Sequence, residues 1–135
     1  MRSTLVIAAA TLALCACGGD SGGTTGPSVP NIAGTWSGTY TASVNPGVVY
    51  QAVFQLSQSG ANISGTFTSN AGRSANLSGS ISGTRLTGTS TFSDGCTGTA
   101  SNTADITNNA TRLTGNYTAN DCIGTYSGGF VYNKQ

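Results

Sequence analysis

The chain has no histidine and no glutamate, and its only acidic residues are Asp20, Asp94, Asp105 and Asp121. These absences remove the usual general base, the commonest transition-metal ligand and most carboxylate pairs. Ser-His-Asp and Cys-His nucleophiles are excluded outright. No catalytic residue, metal site or cofactor is therefore expected. Calcium held by aspartates is also unsupported, because no Asp-x-Asp spacing occurs. Charge is scarce: Asp, Lys and Arg make up 7% of 135 residues and sum to a formal +1. Such a surface has no counterion-release drive toward nucleic acid and no polybasic attraction to anionic lipid. Long apolar runs are missing too. Residues 5–14 form an apolar run of ten, short of the about 20 residues a permanent membrane helix needs.

That run has the proportions of a secretory h-region, with Arg2 before it and the small Ala16 just after. Leu14-Cys15-Ala16-Cys17, followed by Gly18-Gly19-Asp20, resembles the lipobox of bacterial lipoproteins. The resemblance implies that residues 1–16 are a signal peptide and that Cys17 becomes the lipidated first residue of the mature chain. The alternative is an ordinary signal peptide with an incidental Cys17. Gly18 rather than Asp after Cys17 resembles the outer-membrane pattern. The expected location is thus the cell envelope, lipid-anchored, on the periplasmic or surface face of an outer membrane where the organism has one. Loss of Arg2 with the leader brings the net charge to zero.

Residues 17–30 follow as the lipidated Cys and a tether, GGDSGGTTGPSVP. Gly, Ser, Thr and Pro cannot build a core, and thirteen such residues span about 20 Å on average. Residues 31–135 remain as one domain. Of the four cysteines, Cys15 leaves with the leader and Cys17 takes lipid. Cys96 and Cys122 then meet an oxidising compartment, where a disulfide between them persists. Closing that loop is worth about 3.5 kcal/mol in the chain-entropy model. Two buried free thiols are the alternative.

From Gly34 onward apolar residues recur at every second position in a Thr, Ser, Gly and Asn background. Period two predicts strands with one buried face. Trp36, Tyr40, Ala42 and Val44 share such a face, and so do Tyr50, Ala52, Phe54 and Leu56. The pattern continues to Tyr126, Phe130 and Tyr132. Turn signals separate the runs: Asn45-Pro46-Gly47, Ser59-Gly60, Asn70-Ala71-Gly72, Ser82-Gly83, Asp94-Gly95, Asn108-Asn109 and Asn120-Asp121. Eight strands with short connections predict an all-β, antiparallel up-and-down barrel, since closure removes exposed edges. A β-sandwich is the alternative. A loose repeat places Gly65, Gly79, Gly83, Gly88, Gly115 and Gly124 two residues after an apolar residue, hence on the buried face. These glycines either let coiled strands bend or leave an internal cavity.

Ile32-Ala33-Gly34-Thr35-Trp36 resembles the Gly-x-Trp signature that opens the first strand of calycin barrels, the group of lipocalins, fatty-acid-binding proteins and avidins. The resemblance covers residues 31–135 in pattern and implies that Gly34 and Trp36 lie at the closed base. The lipocalin Thr-Asp-Tyr motif is absent and Trp36 is the only Trp. The tryptophans of an avidin biotin pocket are therefore missing, and no particular ligand is carried over.

An up-and-down barrel collects the turns after strands one, three, five and seven on the rim opposite Trp36. Arg73, Asp94, Asp121, Cys96 and Cys122 fall there. A disulfide would need those turns to lean together, because second-neighbour strands stand about 10 Å apart. Arg73 facing Asp94 or Asp121 suits a polar ligand head, with Tyr50 and Tyr117 as amphipathic walls and Phe67 beside them lining the mouth. The alternative is solvated turn residues. Arg85, Arg112 and Asp105 share the outward parity. Asn62, Asn76, Asn109 and Asn116 sit in Asn-x-Ser/Thr triplets, which arise by chance in so Asn- and Thr-rich a chain.

Two functions fit. One is a non-enzymatic barrel at the envelope that binds a small, largely apolar ligand. The other is a packed barrel acting as a protein-interaction or inhibitor module toward an envelope partner. Interior volume separates them: unfilled space beside Tyr50, Phe67 and Tyr117 favours a ligand, whereas a plug of Trp36, Phe54, Phe92 and Phe130 favours a surface role. Replacing Cys17 with Ala should abolish labelling by radioactive palmitate and release the protein from the membrane fraction. Label retained by the variant rules out Cys17 as the anchor.

Overall fold

The alternation of apolar and polar residues closes a single sheet on itself. The computed structural model describes residues 26–135; the leader, Cys17 and most of the tether lie outside the described residues. Eight strands follow in order: β1 (Gly34–Thr41), β2 (Val49–Ser59), β3 (Asn62–Ser69), β4 (Ser74–Ser82), β5 (Arg85–Phe92), β6 (Gly98–Thr107), β7 (Arg112–Asp121) and β8 (Gly124–Lys134). Each pairs antiparallel with the next, and β1 pairs with β8 to complete a closed barrel. There is no sandwich and, among the described residues, no helix. The outer face carries Thr and Ser, as in the row Ser64, Ser78, Thr89, Ser101 and Thr118.

Two details differ from the periodicity. β1 ends at Thr41, so Val44 leaves the ladder and stands exposed at the rim. Asn120 and Asp121 remain in β7, and the turn falls at Cys122 and Ile123. A short turn signal marks where a chain can reverse, and pairing with the neighbour decides how far the ladder runs first.

The repeated glycines divide into two kinds. Gly83 is a turn residue with φ of 59° and Gly124 opens β8 with φ of 119°; both are exposed, not buried-face positions. Gly65, Gly79, Gly88 and Gly115 lie within strands, where a Cβ would strike a neighbouring strand's carbonyl. At Gly115 the obstacles are the Thr103 carbonyl, the Ala104 Cα and the Phe130 ring. The strands therefore coil closely past each other at these points, as tight closure requires. The bending role of the glycines accounts for these contacts.

The base is sealed from below. Trp36 and Ile32 have no exposed surface. The Trp36 indole N–H donates to the Ile32 carbonyl at 2.8 Å. Gln58 clamps the incoming chain: its amide oxygen accepts from the Ile32 N–H at 2.8 Å, and its Nε2 donates to the Pro30 carbonyl at 2.9 Å. Leu56, Ile63, Ile81, Ile106 and Leu113 pack on this plug. Gly115→Ala should lower stability by about 1–3 kcal/mol in urea titration, while Gly26→Ala, which meets nothing, should leave it unchanged. Equal effects would contradict the close-approach account.

Candidate functional site

Above the packed base the barrel is hollow. A cavity of about 320 Å³ opens between the turns that follow β1, β3 and β7. All five tyrosines and all four phenylalanines of the chain line it, and among the described residues no glycine does. Phe54, Phe92 and Phe130, candidates for a plug, form walls instead. Their rings touch in series. Phe130 lies 5.3 Å from Tyr132, Tyr132 lies 4.8 Å from Phe54, and Phe54 lies 5.0 Å from Phe67. Tyr40 continues the series from Phe67 at 5.7 Å and stacks on Tyr50 at 5.1 Å. Offset and edge-on contacts of this kind stiffen the wall beyond simple burial.

Most hydroxyls in this wall are committed. Tyr40 donates to Ser69 Oγ at 3.1 Å, and Tyr117 donates to the Thr41 carbonyl at 2.8 Å. Tyr126 donates to Asp121 Oδ2 at 2.7 Å. Burial raises the Tyr117 hydroxyl to about 12, with Tyr40 and Tyr50 adding to the shift. Burial likewise pushes Tyr40, Tyr126 and Tyr132 up, so all four stay neutral at physiological pH. Tyr132 is 2% exposed, and its hydroxyl has no hydrogen-bond partner among the described residues.

Two further polar residues face inward. Asn102 donates through Nδ2 to Ser90 Oγ at 2.9 Å and to the Ala100 carbonyl at 3.2 Å. Ser90 is 6% exposed, and both residues line the cavity. This arrangement leaves the Asn102 carbonyl oxygen as an acceptor toward the cavity.

At the rim Arg73 holds two carboxylates. Its terminal nitrogen donates to Asp121 Oδ2 at 2.7 Å. Its Nε lies 2.8 Å from Asp94 Oδ2 but off the N–H direction, so that contact is a charge pairing rather than a hydrogen bond. The guanidinium sits 4.3 Å above the Phe92 ring, a further cation–π contact. Each Asp also caps the turn beside it. Asp94 Oδ1 accepts from the Cys96 N–H at 3.1 Å, and Asp121 Oδ1 accepts from the Ile123 N–H at 2.9 Å. The caps present Cys96 and Cys122 to each other, and the two are disulfide-bonded with Cα atoms 5.3 Å apart. The turns therefore lean together across the start of β7's neighbours and narrow one side of the mouth.

Arg73, Tyr50, Phe67 and Tyr117 thus line the cavity. Asp94 and Asp121 stand behind Arg73 rather than in the lining, and the three are paired with each other instead of being solvated. Gly34 and Trp36 lie at the closed end. Sequence reasoning passed over Tyr40, Ser90, Asn102, Tyr126 and Tyr132 as site residues. A signal existed for two of them: Ser90 and Asn102 occupy inward positions where the alternation calls for an apolar side chain.

The fold has relatives among solved structures. EF1p2_mFAP2b bound to DFHBI is 14% identical with a TM-score of 0.63, covering 77% of this chain and 94% of that one. The redesigned beta barrel mFAP1, also bound to DFHBI, is 19% identical with a TM-score of 0.58, covering 74% and 93%. These two share the barrel fold with this chain. A zebrafish ileal bile acid-binding protein complexed with cholic acid overlaps at 16% identity and a TM-score of 0.39, covering 76% and 98%. No family model and no curated protein matches the sequence.

Asp121 has no exposed side-chain surface. Burial would raise its pKa, but bonds from Tyr126 and the Ile123 N–H, with the Arg73 charge, outweigh it and hold the carboxyl below its ordinary value. The unfolded chain then binds a proton at a higher pH than the native one, so stability rises with pH through that window. Stability should therefore be constant between about pH 5 and 9 and fall as pH drops through the ordinary carboxylate range and below. Asp121→Asn should be less stable at pH 7 and should flatten that decline. An unchanged slope in denaturation from pH 2 to 6 would remove Asp121 from the balance.

Proposed function

We propose that this domain is a non-enzymatic binding barrel that holds one small, largely apolar molecule in its open half, displayed at the cell envelope by lipid on Cys17. The observation that carries the reading is the hollow half itself. A volume of about 320 Å³ lies at the lower end of the range for small-molecule sites, which are concave, mostly apolar and preformed. A barrel with a structural role alone has no need of such a void, because interiors pack as densely as organic crystals. The concentration of every Tyr and Phe around that void supports the same reading, since these residues supply most of the contact energy of apolar binding. Two barrels that share this fold were solved with a small molecule bound, which supports the capacity of the architecture. The envelope location rests on the lipobox resemblance of residues 14–17. The packed-barrel alternative has less support, because Phe54, Phe92 and Phe130, three of the four side chains of its plug, line a void.

Native mass spectrometry of residues 18–135, produced in an oxidising compartment and purified gently, tests the reading. A reproducible small-molecule adduct is expected, at a protein mass two hydrogens below that of the fully reduced chain. Tyr50→Ala, which removes a stacked wall, should weaken the adduct about tenfold. Ala100→Phe, which fills the void, should abolish it. A bare mass that stays bare in lipid and metabolite mixtures would sink the proposal and turn attention to protein partners.

A further inference from the structure

We infer that the cavity selects uncharged aromatic ligands bearing one hydrogen-bonding end, and rejects anions, with Asn102, Ser90 and Tyr132 as the residues that read the polar end. The inference rests on the cavity being a binding site, and it narrows what that site takes.

The charge balance carries the first half. Among the described residues, Arg73 is the one cationic residue in the lining. It is already paired with Asp94 and Asp121 at 2.8 Å and 2.7 Å. One positive charge against two negative leaves this corner of the mouth with a net charge of −1. The Arg73 Nε makes no hydrogen bond, but its charge is already outnumbered, so a carboxylate or sulfonate drawn into the apolar interior finds no net positive charge there, and an uncompensated charge is expensive to bury. A basic residue on a cavity wall ordinarily suggests an acidic ligand. Here the tertiary structure has spent that residue on holding two turns together.

The polar groups carry the second half. Most ring hydroxyls are engaged with protein partners, so Tyr40, Tyr117 and Tyr126 offer the ligand ring faces and edges. Tyr50 accepts from Asn45 at 2.8 Å, and three further groups of the lining keep hydrogen-bonding capacity. The Asn102 carbonyl oxygen accepts, its amide being used on Ser90 and Ala100. The Ser90 hydroxyl accepts from Asn102 and keeps its own proton to donate. The Tyr132 hydroxyl, on a residue 2% exposed, is unpartnered among the described residues. A ligand that covers these polar groups in an apolar cavity must bond them, because leaving them dry and unpaired is costly. An apolar cage with a small donor and acceptor set fits a flat aromatic molecule carrying an N–H, a hydroxyl or a carbonyl. A long acyl chain ending in carboxylate fits neither the walls nor the charge.

Two fluorescent probes with the same rings isolate the charge. N-phenyl-1-naphthylamine is neutral and has one N–H; 8-anilino-1-naphthalenesulfonate adds a sulfonate. In titrations of the folded, disulfide-bonded domain the neutral probe is expected to bind at least about tenfold tighter. Asn102→Leu should weaken the neutral probe several-fold and leave the anionic one unchanged. Asp94→Asn, which brings the corner to neutrality, should improve the anionic probe. Equal affinity for the two probes, or tighter binding of the anionic one, overturns the selectivity while leaving the cavity as a binding site. Binding of neither probe, with Ala100→Phe indistinguishable from the parent, overturns the binding reading beneath it.

Discussion

Closure between β1 and β8 is the constraint on which the rest of the structure depends. The seam runs from Trp36 opposite Lys134 to Tyr40 opposite Phe130. Once it is made, the sheet has no free edge for another chain to extend, and the alternating side chains divide into an inside and an outside. Closure also explains how the hollow half persists. Its walls are strands held to both neighbours by backbone hydrogen bonds, so they cannot slump inward to fill the space as loosely packed helices would. The void is a property of the ladder as much as of the side chains.

Base and mouth are built by different means. The base uses shape: Trp36, Ile32 and the aliphatic residues of β2 to β7 pack out all space, and Gln58 satisfies the polar groups of the chain that crosses beneath them. Close strand passage at Gly65, Gly79, Gly88 and Gly115 lets the sheet curve tightly enough for that packing. The mouth uses charge and covalency. Arg73 draws Asp94 and Asp121 together, each Asp caps its own turn, and the Cys96–Cys122 bond ties the two turns across the rim. In so charge-poor a chain, three charged residues in one buried group mark the position where shape alone gives too little. An apolar plug at the mouth would do the same structural job and would close the cavity.

Much of the architecture was legible in the residue order. The period-two runs around Trp36, Phe54, Leu86 and Leu113 announced strands, and the spacing of Gly, Asn and Asp between them announced tight reversals. Eight strands with short links leave few arrangements besides a barrel. The site was legible only in part. Parity put Tyr50, Phe67 and Tyr117 inside, but it could not say whether their side chains meet in the middle. Arg73 was visible as a rim residue, and its partners were not, because Asp94 and Asp121 are 21 and 48 positions away along the chain and share only a turn level with it. Ser90 and Asn102 were masked by a chain in which Ser and Asn are everywhere. Of the six repeated glycines, Gly83 and Gly124 misled because a motif of apolar-x-Gly carries no mark of where a strand ends or begins.

What the sequence determined by itself is therefore the class of structure and a negative list. Strand periodicity is local, two residues long, and survives without knowledge of neighbours. The absence of His and Glu excludes whole families of chemistry without any coordinates. What the tertiary structure decided is everything that depends on convergence. Whether nine aromatic rings fill a barrel or line it is a matter of ångströms, set by strand stagger and curvature. Whether an arginine greets a ligand or holds a turn depends on which carboxylates closure brings within 3 Å of it. Both outcomes follow from long-range geometry that no local pattern encodes.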